Sequence, residues 1–284
     1  MPRSMIKKSA IFLILLISIL LWFLWIIPRL EQLPSNFSYK VDVISFDNFY
    51  DEEKQTFLGP QISKTKFYYE PISQKNGVLM IRNVFDVYKM TDEKIFAVER
   101  LYGIDAKTGQ HAKGYGDHNR EGYLFAPKHL KKQDYVYWHI NYDEPATMRF
   151  QDEEKIQGLT VYRYACDYHA DQTANLGFLP GVPKERGMNL DINLQQWIEP
   201  VSGHMIKYED KTTAYYYDMK TKERMHPWNK FNNRYSTTGI NEQVKIAKQE
   251  RRKIIFYERV IPSLLAGIVL MLFVFPYFLK RRGV

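Results

Sequence analysis

Two uncharged apolar runs frame the chain, and alternating polar and apolar residues fill the space between them. The first covers residues 9–27, ends at Pro28, and has Trp22 and Trp25 near its end. At ~1.5 Å rise per residue, such a run spans about the ~30 Å hydrocarbon core of a bilayer. Pro28-Arg29-Leu30-Glu31 offers no small-residue cleavage site, so the run reads as an uncleaved anchor. The second covers residues 260–279, with Pro262 in its first turn and Pro276 in its last, and is closed by Lys280, Arg281 and Arg282. Arg3, Lys7 and Lys8 ahead of the first run favour a cytoplasmic N-terminus. Two crossings then place both tails on one side and residues 29–259 on the other.

The middle reads mainly as β-strand. Residues 39–46 alternate, with Val41, Val43 and Ser45 opposite Asp42, Ile44 and Phe46. Residues 66–70 form a second candidate. Residues 77–89 and 94–104 suggest a hairpin closed at 91–93, although Glu93, Ala97 and Glu99 would also suit a short helix. Polar turns ending in Gly109 and Gly203 predict two further hairpins, with residues 205–208 as the return arm of the second. Residues 135–140, 158–165 and 211–217 are strand candidates, and residues 173–187, rich in Gly and Pro, read as a long loop. From Gly239 the period changes: Ile240, Val244, Ala247 and Ile254 recur at helical spacing, with Thr237 or Thr238 as cap. This helix meets no breaker before Pro262 and runs on into the second span as a stalk.

The predicted organisation is a cytoplasmic tail (1–8), a first transmembrane helix (9–28), an extracytoplasmic domain (29–236), a juxtamembrane stalk helix (237–259), a second transmembrane helix (260–279) and a short cytoplasmic tail (280–284). The fold class is mainly β: an antiparallel curved sheet, sandwich or partly closed barrel, flanked by two membrane helices.

The net charge of +8 changes little. Without the six tail cations, 34 basic residues face 32 acidic ones, so no basic face for nucleic acid is indicated. One cysteine, Cys166, excludes an intramolecular disulfide framework. No nucleophile elbow, phosphate-binding loop, zinc-protease helix or paired-cysteine motif occurs. His111, Asp117, His118 and Glu121 share a Gly-rich loop. Cys166, His169 and Asp171 have ligand-like spacing, but on a straight strand Cys166 and His169 face opposite ways. Neither grouping supports a metal or a cofactor.

Aromatic residues carry more information. Tyr135 and Tyr137 alternate with Val136 and Trp138, and Tyr162, Tyr164, Cys166 and Tyr168 share a face. Such strands either form core on both sides or line an apolar cavity with inward phenols, which makes Tyr135, Tyr137, Trp138, Tyr162 and Tyr164 candidate ligand contacts. On the stalk, Lys248, Arg251, Arg252 and Lys253 are candidate contacts for anionic headgroups, with a solvated, internally paired helix face as the alternative.

Several motifs together resemble the bacterial family filed as porin PorA. Tyr135-x-Tyr137-Trp138, residues 157–164 (Gln-Gly-Leu-Thr-Val-Tyr-Arg-Tyr), and the turns ending at Gly109 and Gly203 follow that family's pattern. Phe125-Ala-Pro127 departs from its Phe-Pro-Phe-like step. The resemblance extends over most of the chain between the two anchors. It implies an envelope protein, found in lipid-rich mycolate envelopes among other places, and supplies no catalytic residues. The expected function is non-enzymatic: binding or handling a hydrophobic envelope component near the bilayer, with membrane lipid as the partner. A scaffold that binds another envelope membrane protein is the alternative. A glycolipid hydrolase using acids such as Asp143, Glu144, Asp152 and Glu153 is a third reading.

Overall fold

The computed structural model describes residues 3–178, 183 and 185–274. Part of the expected 173–187 loop, the end of the second apolar run with Pro276, and the 280–284 tail lie outside the described residues. The chain divides into two compact units, residues 1–32 with 249–284, and residues 33–248.

The first unit is helical. Helix α1 (Arg3–Leu21) passes through a π-helical turn at Trp22–Ile26 into α2 (Ile27–Leu30). Helix α3 (Thr237–Ile255), whose last turn belongs here, passes through a second π turn at Phe256–Val260 into α4 (Ile261–Val269) and a further π turn at Leu270–Val274. Ile11–Leu30 and Thr237–Leu272 are long and apolar enough to cross a membrane. In residues 11–30 and 260–272 many large apolar side chains are exposed, Leu24 by 75% and Met271 by 72%, as lipid-facing positions would be.

Two of the π turns follow from prolines. The turns at Trp22–Ile26 and Phe256–Val260 each directly precede a helix with proline at its second position. At Phe256–Val260 the Ile261 N–H reaches back to the Phe256 carbonyl, so the next donor in that register would be Pro262, which has none. The Tyr257 carbonyl is therefore left without a backbone donor. The Trp22 indole N–H, from the other helix, donates to it at 3.0 Å. In full-length protein unfolded thermally in detergent, Trp22→Phe is expected to cost about 1 kcal/mol. In a Pro262→Ala background the backbone regains its donor, and the same substitution should cost close to nothing. Equal losses in both backgrounds would refute this pairing.

The second unit is an antiparallel sheet. Its strands are β1 (Tyr39–Asp51), β2 (Thr56–Phe57), β3 (Gln61–Lys75), β4 (Val78–Lys89), β5 (Lys94–Asp105), β6 (His111–Gly116), β7 (Tyr135–His139), β8 (Glu144–Ile156), β9 (Leu159–Asp171), β10 (Arg186–Glu199), β11 (His204–Asp218) and β12 (Arg224–Tyr235). The order is β6-β5-β4-β3-β1-β12-β11-β10-β9-β8-β7, with β2 paired to β1. Two meanders thus meet where β1 pairs with β12, from Val43↔Tyr235 to Phe49↔Asn229.

No ladder joins the outer strands β6 and β7, so the sheet is not closed. Among the described residues, the isolated backbone bridges between them run through Tyr123, which pairs with Gln110 on one side and Tyr137 on the other. The sheet curls around one core cluster to which both meanders contribute, including Val41, Leu79, Ile104, Met148, Leu194 and Ala214. The expectation of a curved or partly closed β-sheet is met.

The unit has two ends: a base, where the chain enters near Leu33 and leaves after Tyr235, and an opposite mouth. The segment after Tyr123 seals the base. Leu124 N–H donates to the Gly109 carbonyl, His129 N–H to Val201 and Leu130 N–H to Pro200. Both Gly turns press on this segment. A Cβ on Gly109 would sit 2.9 Å from the Phe125 carbonyl oxygen, and one on Gly203 would sit 2.3 Å from that of Ala126. Both glycines also have positive φ, 78° and 71°, so conformation and crowding each exclude a side chain. Outside the sheet, Val244 and Ala247 of α3 pack on Leu159, Val161, Trp197 and Ile206.

Residues 94–104 form the expected hairpin strand and not its short-helix alternative, because Arg100, Tyr102 and Ile104 alternate into the interior. Several local expectations need correction. Helix α3 is capped by Ser236 and not by Thr237 or Thr238: the Ser236 hydroxyl accepts the Gly239 N–H at 2.9 Å. The 173–187 loop is interrupted by a 3₁₀ turn at Thr173–Phe178, and β10 begins at Arg186. Strand β3 runs on to Lys75, beyond Pro71, where a register shift against β4 accommodates the missing N–H.

Candidate functional site

Between the two meanders, toward the mouth, lies a cavity of about 360 Å³. Its walls are apolar: Val43, Phe67, Phe85, Met188, Leu190 and Phe231 are among its lining. Ile62 and Ile95, 45% and 40% exposed, carry the lining out to the surface, with Lys89 beside them. Alternation explains the walls, because every second residue of β1, β3, β4, β10 and β12 turns inward. The volume falls in the range of small-molecule sites.

One side of the cavity is polar, with Ser45, Asn141, Tyr142 and Asn233. These residues belong to a buried network centred on Asp210, which is fully buried on β11. One carboxylate oxygen accepts from Tyr142 Oη at 2.8 Å, from Asn141 and Asn233 Nδ2 at 3.2 Å each, and from Tyr208 Oη at 3.3 Å. The other accepts from Thr212 Oγ1 at 2.7 Å. His139, also fully buried, lies between two phenols, with Tyr168 Oη 2.6 Å from Nδ1 and Tyr208 Oη 2.6 Å from Nε2. With Tyr208 donating to Asp210, the consistent tautomer carries its proton on Nε2 and accepts from Tyr168 at Nδ1. Burial lowers the His139 pKa to about 4, against the pull of Asp210 at 3.7 Å, so the ring is neutral near pH 7. Burial likewise raises Tyr142 and Tyr208 well above the ordinary phenol range. Five neutral donors therefore satisfy a buried carboxylate that has no formal counter-ion in contact.

A second cluster joins the sheet's outer strands. The Arg120 guanidinium, from the β6–β7 connection, makes two bonds to Asp143, at 2.8 and 3.0 Å, and a third to Asp117. It also lies over the Tyr102 ring at 4.4 Å and donates to the Leu101 carbonyl. Asp143 further accepts the Trp138 indole N–H at 2.7 Å and lies 3.6 Å from Arg100. Burial disfavours the charge on Asp143, but Arg120, Arg100 and Trp138 outweigh it and hold the carboxyl below its usual range. Beside them, Tyr102 Oη and His111 Nε2 are buried without a hydrogen-bond partner.

The residues predicted from sequence fall elsewhere. Tyr135, Tyr137, Trp138 and Tyr164 are buried in the core and Tyr162 is half-buried; none lines the described cavity. Their polar ends meet protein: Tyr135 Oη donates to Gln196 Oε1 at 2.5 Å, and Tyr164 Oη to the Lys131 carbonyl at 2.6 Å. Lys248 donates to the Gln157 carbonyl at 3.0 Å, while Arg252 and Lys253 are exposed and Arg251 is half-buried. His118 pairs with Asp117 and Asp143, both at 3.1 Å, whereas His111 lies against Tyr102 and Trp138. Cys166 is buried with its thiol pushed up to about 12 by burial, while exposed His169 pairs with Asp191 at 2.7 Å. Of the acids considered for hydrolysis, Asp143 is held by arginines, Asp152 by Arg163 and Glu153 by Lys132.

The cavity's own residues were not singled out by sequence. Asp210 sits in Lys207-Tyr-Glu-Asp-Lys211, which reads as a solvated strand, and Asn141 and Tyr142 sit in an apparent turn. The one available signal was alternation, which puts Tyr208, Asp210 and Thr212 on one face.

No curated protein matches the chain. The family model described as Porin PorA matches residues 10–275. Nearly the whole chain is covered, from the first apolar helix through the curled sheet to the second, and the protein therefore belongs to the porin PorA family.

Proposed function

We propose that this protein is a non-enzymatic, membrane-tethered envelope protein whose β unit takes up a hydrophobic envelope component in the cavity between its two meanders. The cavity itself carries the reading: an apolar chamber in a chain with an apolar helix at each end. The tethers keep the unit within reach of lipid, with both tails cytoplasmic and residues 33–248 across the membrane from them. Exposed Arg252 and Lys253 are the groups available to anionic headgroups.

A pore is a poor reading of the same chain. Outward side chains of the sheet form ion pairs such as Arg82–Glu99 and Lys94–Asp86, each at 2.9 Å. On a lipid-facing barrel wall each buried cation would cost about 2–4 kcal/mol at the midplane. The helices, and not the strands, are suited to hydrocarbon.

Full-length protein extracted in mild detergent should retain lipid by native mass spectrometry. Leu190→Trp, which fills the cavity, should remove that lipid while leaving the thermal transition cooperative. Wild-type protein that carries no lipid, or a filled variant that carries as much, would refute the proposal.

A further inference from the structure

We infer that the cavity selects an uncharged amphiphile, with a hydroxyl- or amide-bearing polar end and a long apolar part, and excludes anionic lipids such as free fatty acids. This rests on the proposed uptake of a hydrophobic component and specifies its chemistry.

Charge around the cavity is the first observation. Among the described residues that line it, Lys89 is the one cation, and it lies at the mouth with its ammonium on Glu93 at 2.8 Å. Two carboxylates stand on the other side of the balance. Asp47 lines the cavity directly, and Asp210 lies immediately behind Asn141, Tyr142 and Asn233. A carboxylate or phosphate brought inside would meet no free cation and two acids, in surroundings of low dielectric.

The acids do not await a cation either. Asp47 accepts from Asn229 Nδ2 on one oxygen and from Ser63 Oγ on the other, both at 3.0 Å. Burial raises its pKa, the opposite of what a counter-ion would do. Asp210 has its five neutral donors. Each carboxylate is already satisfied by neutral groups, so the site has no unmet demand for positive charge.

What the lining offers instead is neutral hydrogen bonding in both directions. Asn141, Gln172, Asn175, Asn229 and Asn233 each carry an amide that can donate and accept. A hydroxyl or amide also does both, so it can enter this lining without leaving a buried charge unpaired. The apolar walls then take the chain.

The test uses full-length protein in nanodiscs and three probes with the same dibrominated C18 chain: the monoglyceride, the fatty acid at pH 8, and the primary amine. Bromine on the chain quenches a nearby indole, and Trp228 lines the cavity. The signal is therefore the quenching lost in Trp228→Phe. The monoglyceride should quench at a concentration at least about tenfold below that of the fatty acid, since like-charge juxtaposition costs several kcal/mol. Asp47→Asn should narrow that gap. Tighter or equal quenching by the fatty acid, or tightest quenching by the amine, overturns this inference and leaves hydrophobic uptake standing. No Trp228-dependent quenching by any probe overturns the uptake itself.

Discussion

Replacing Asp143 with Asn should destabilise the β unit by about 3–5 kcal/mol, the size expected when one partner of a buried ion pair is removed. Asp143 neutralises Arg120, whose side chain is 1% exposed, and lies 3.6 Å from Arg100, whose side chain is 7% exposed. The amide keeps the shape but leaves Arg100 without its anion and Arg120 with Asp117 alone. It can still accept the Trp138 N–H, so the loss reports charge more than packing. The cluster joins β5 and the β6–β7 connection to the β7–β8 turn across the gap that no ladder closes, so the outer strands should also separate first. Hydrogen exchange should show β6 and β7 losing protection ahead of β10 and β11. A loss below about 1 kcal/mol in denaturant unfolding would show that the cluster does not hold the edges. Because the Asp143 pKa is lowered on folding, its contribution is complete above the ordinary carboxyl value of 3.8 and disappears as pH falls below it.

The second large effect lies at milder acidity. His139 titrates at about 4 in the folded protein against 6.5 for the free side chain, and burial is the main cause. Between those values the unfolded chain binds a proton that the folded chain refuses. Stability is therefore full above pH 6.5, declines as pH falls toward 4, and levels off below it. A displacement of this size corresponds to about 3 kcal/mol. The groups facing the ring are Asp210 and the phenols of Tyr168, Tyr208, Tyr142 and Tyr137, and among them Asp210 alone favours the imidazolium. His139→Gln keeps a donor and an acceptor but cannot titrate, so its stability should fall less steeply between pH 6.5 and 4. A residual slope remains, because His111 is also lowered to about 4, by burial and then by Arg120. Identical pH profiles for wild type and His139→Gln would refute the assignment.

Legibility in the sequence followed how local each cause is. The apolar helices could be read because an uncharged run needs no partner to be recognised. The hairpin of β4 and β5 and the two Gly turns were legible because turn chemistry lies within a few consecutive residues. Strands β8 and β12 were not. In β8, Ala146 and Met148 turn inward between charged and polar neighbours, and the run Gln151-Asp-Glu-Glu-Lys155 lacks the β-branched signature of a strand. Its pairing with β9 supplies what composition does not: Arg163 holds both Asp152 and Glu154 across the sheet. The aromatic strands were recognised as having two bulky faces. Whether such faces border core or cavity depends on what curls over them, and β7 is enclosed by its own protein.

By itself, the sequence determined the class of element at each end, the β character of the middle and the membership of a family, because periodicity, turn residues and uncharged length are properties of adjacent positions. Tertiary structure alone decided the site. Asp210, His139, Asn141 and Asn233 come from three separate strands and a turn of the second meander, and they meet only when the sheet curls and brings its β7 end over β11 and β12. Of these, only His139 falls within a segment, residues 135–140, whose residue pattern marks it as strand. The same curling put Ile62 and Ile95 at the mouth, set Phe125 and Ala126 against two glycines at the base, and brought Arg120 to Asp143. A chamber is a relation between surfaces distant in the chain, and no local pattern encodes it.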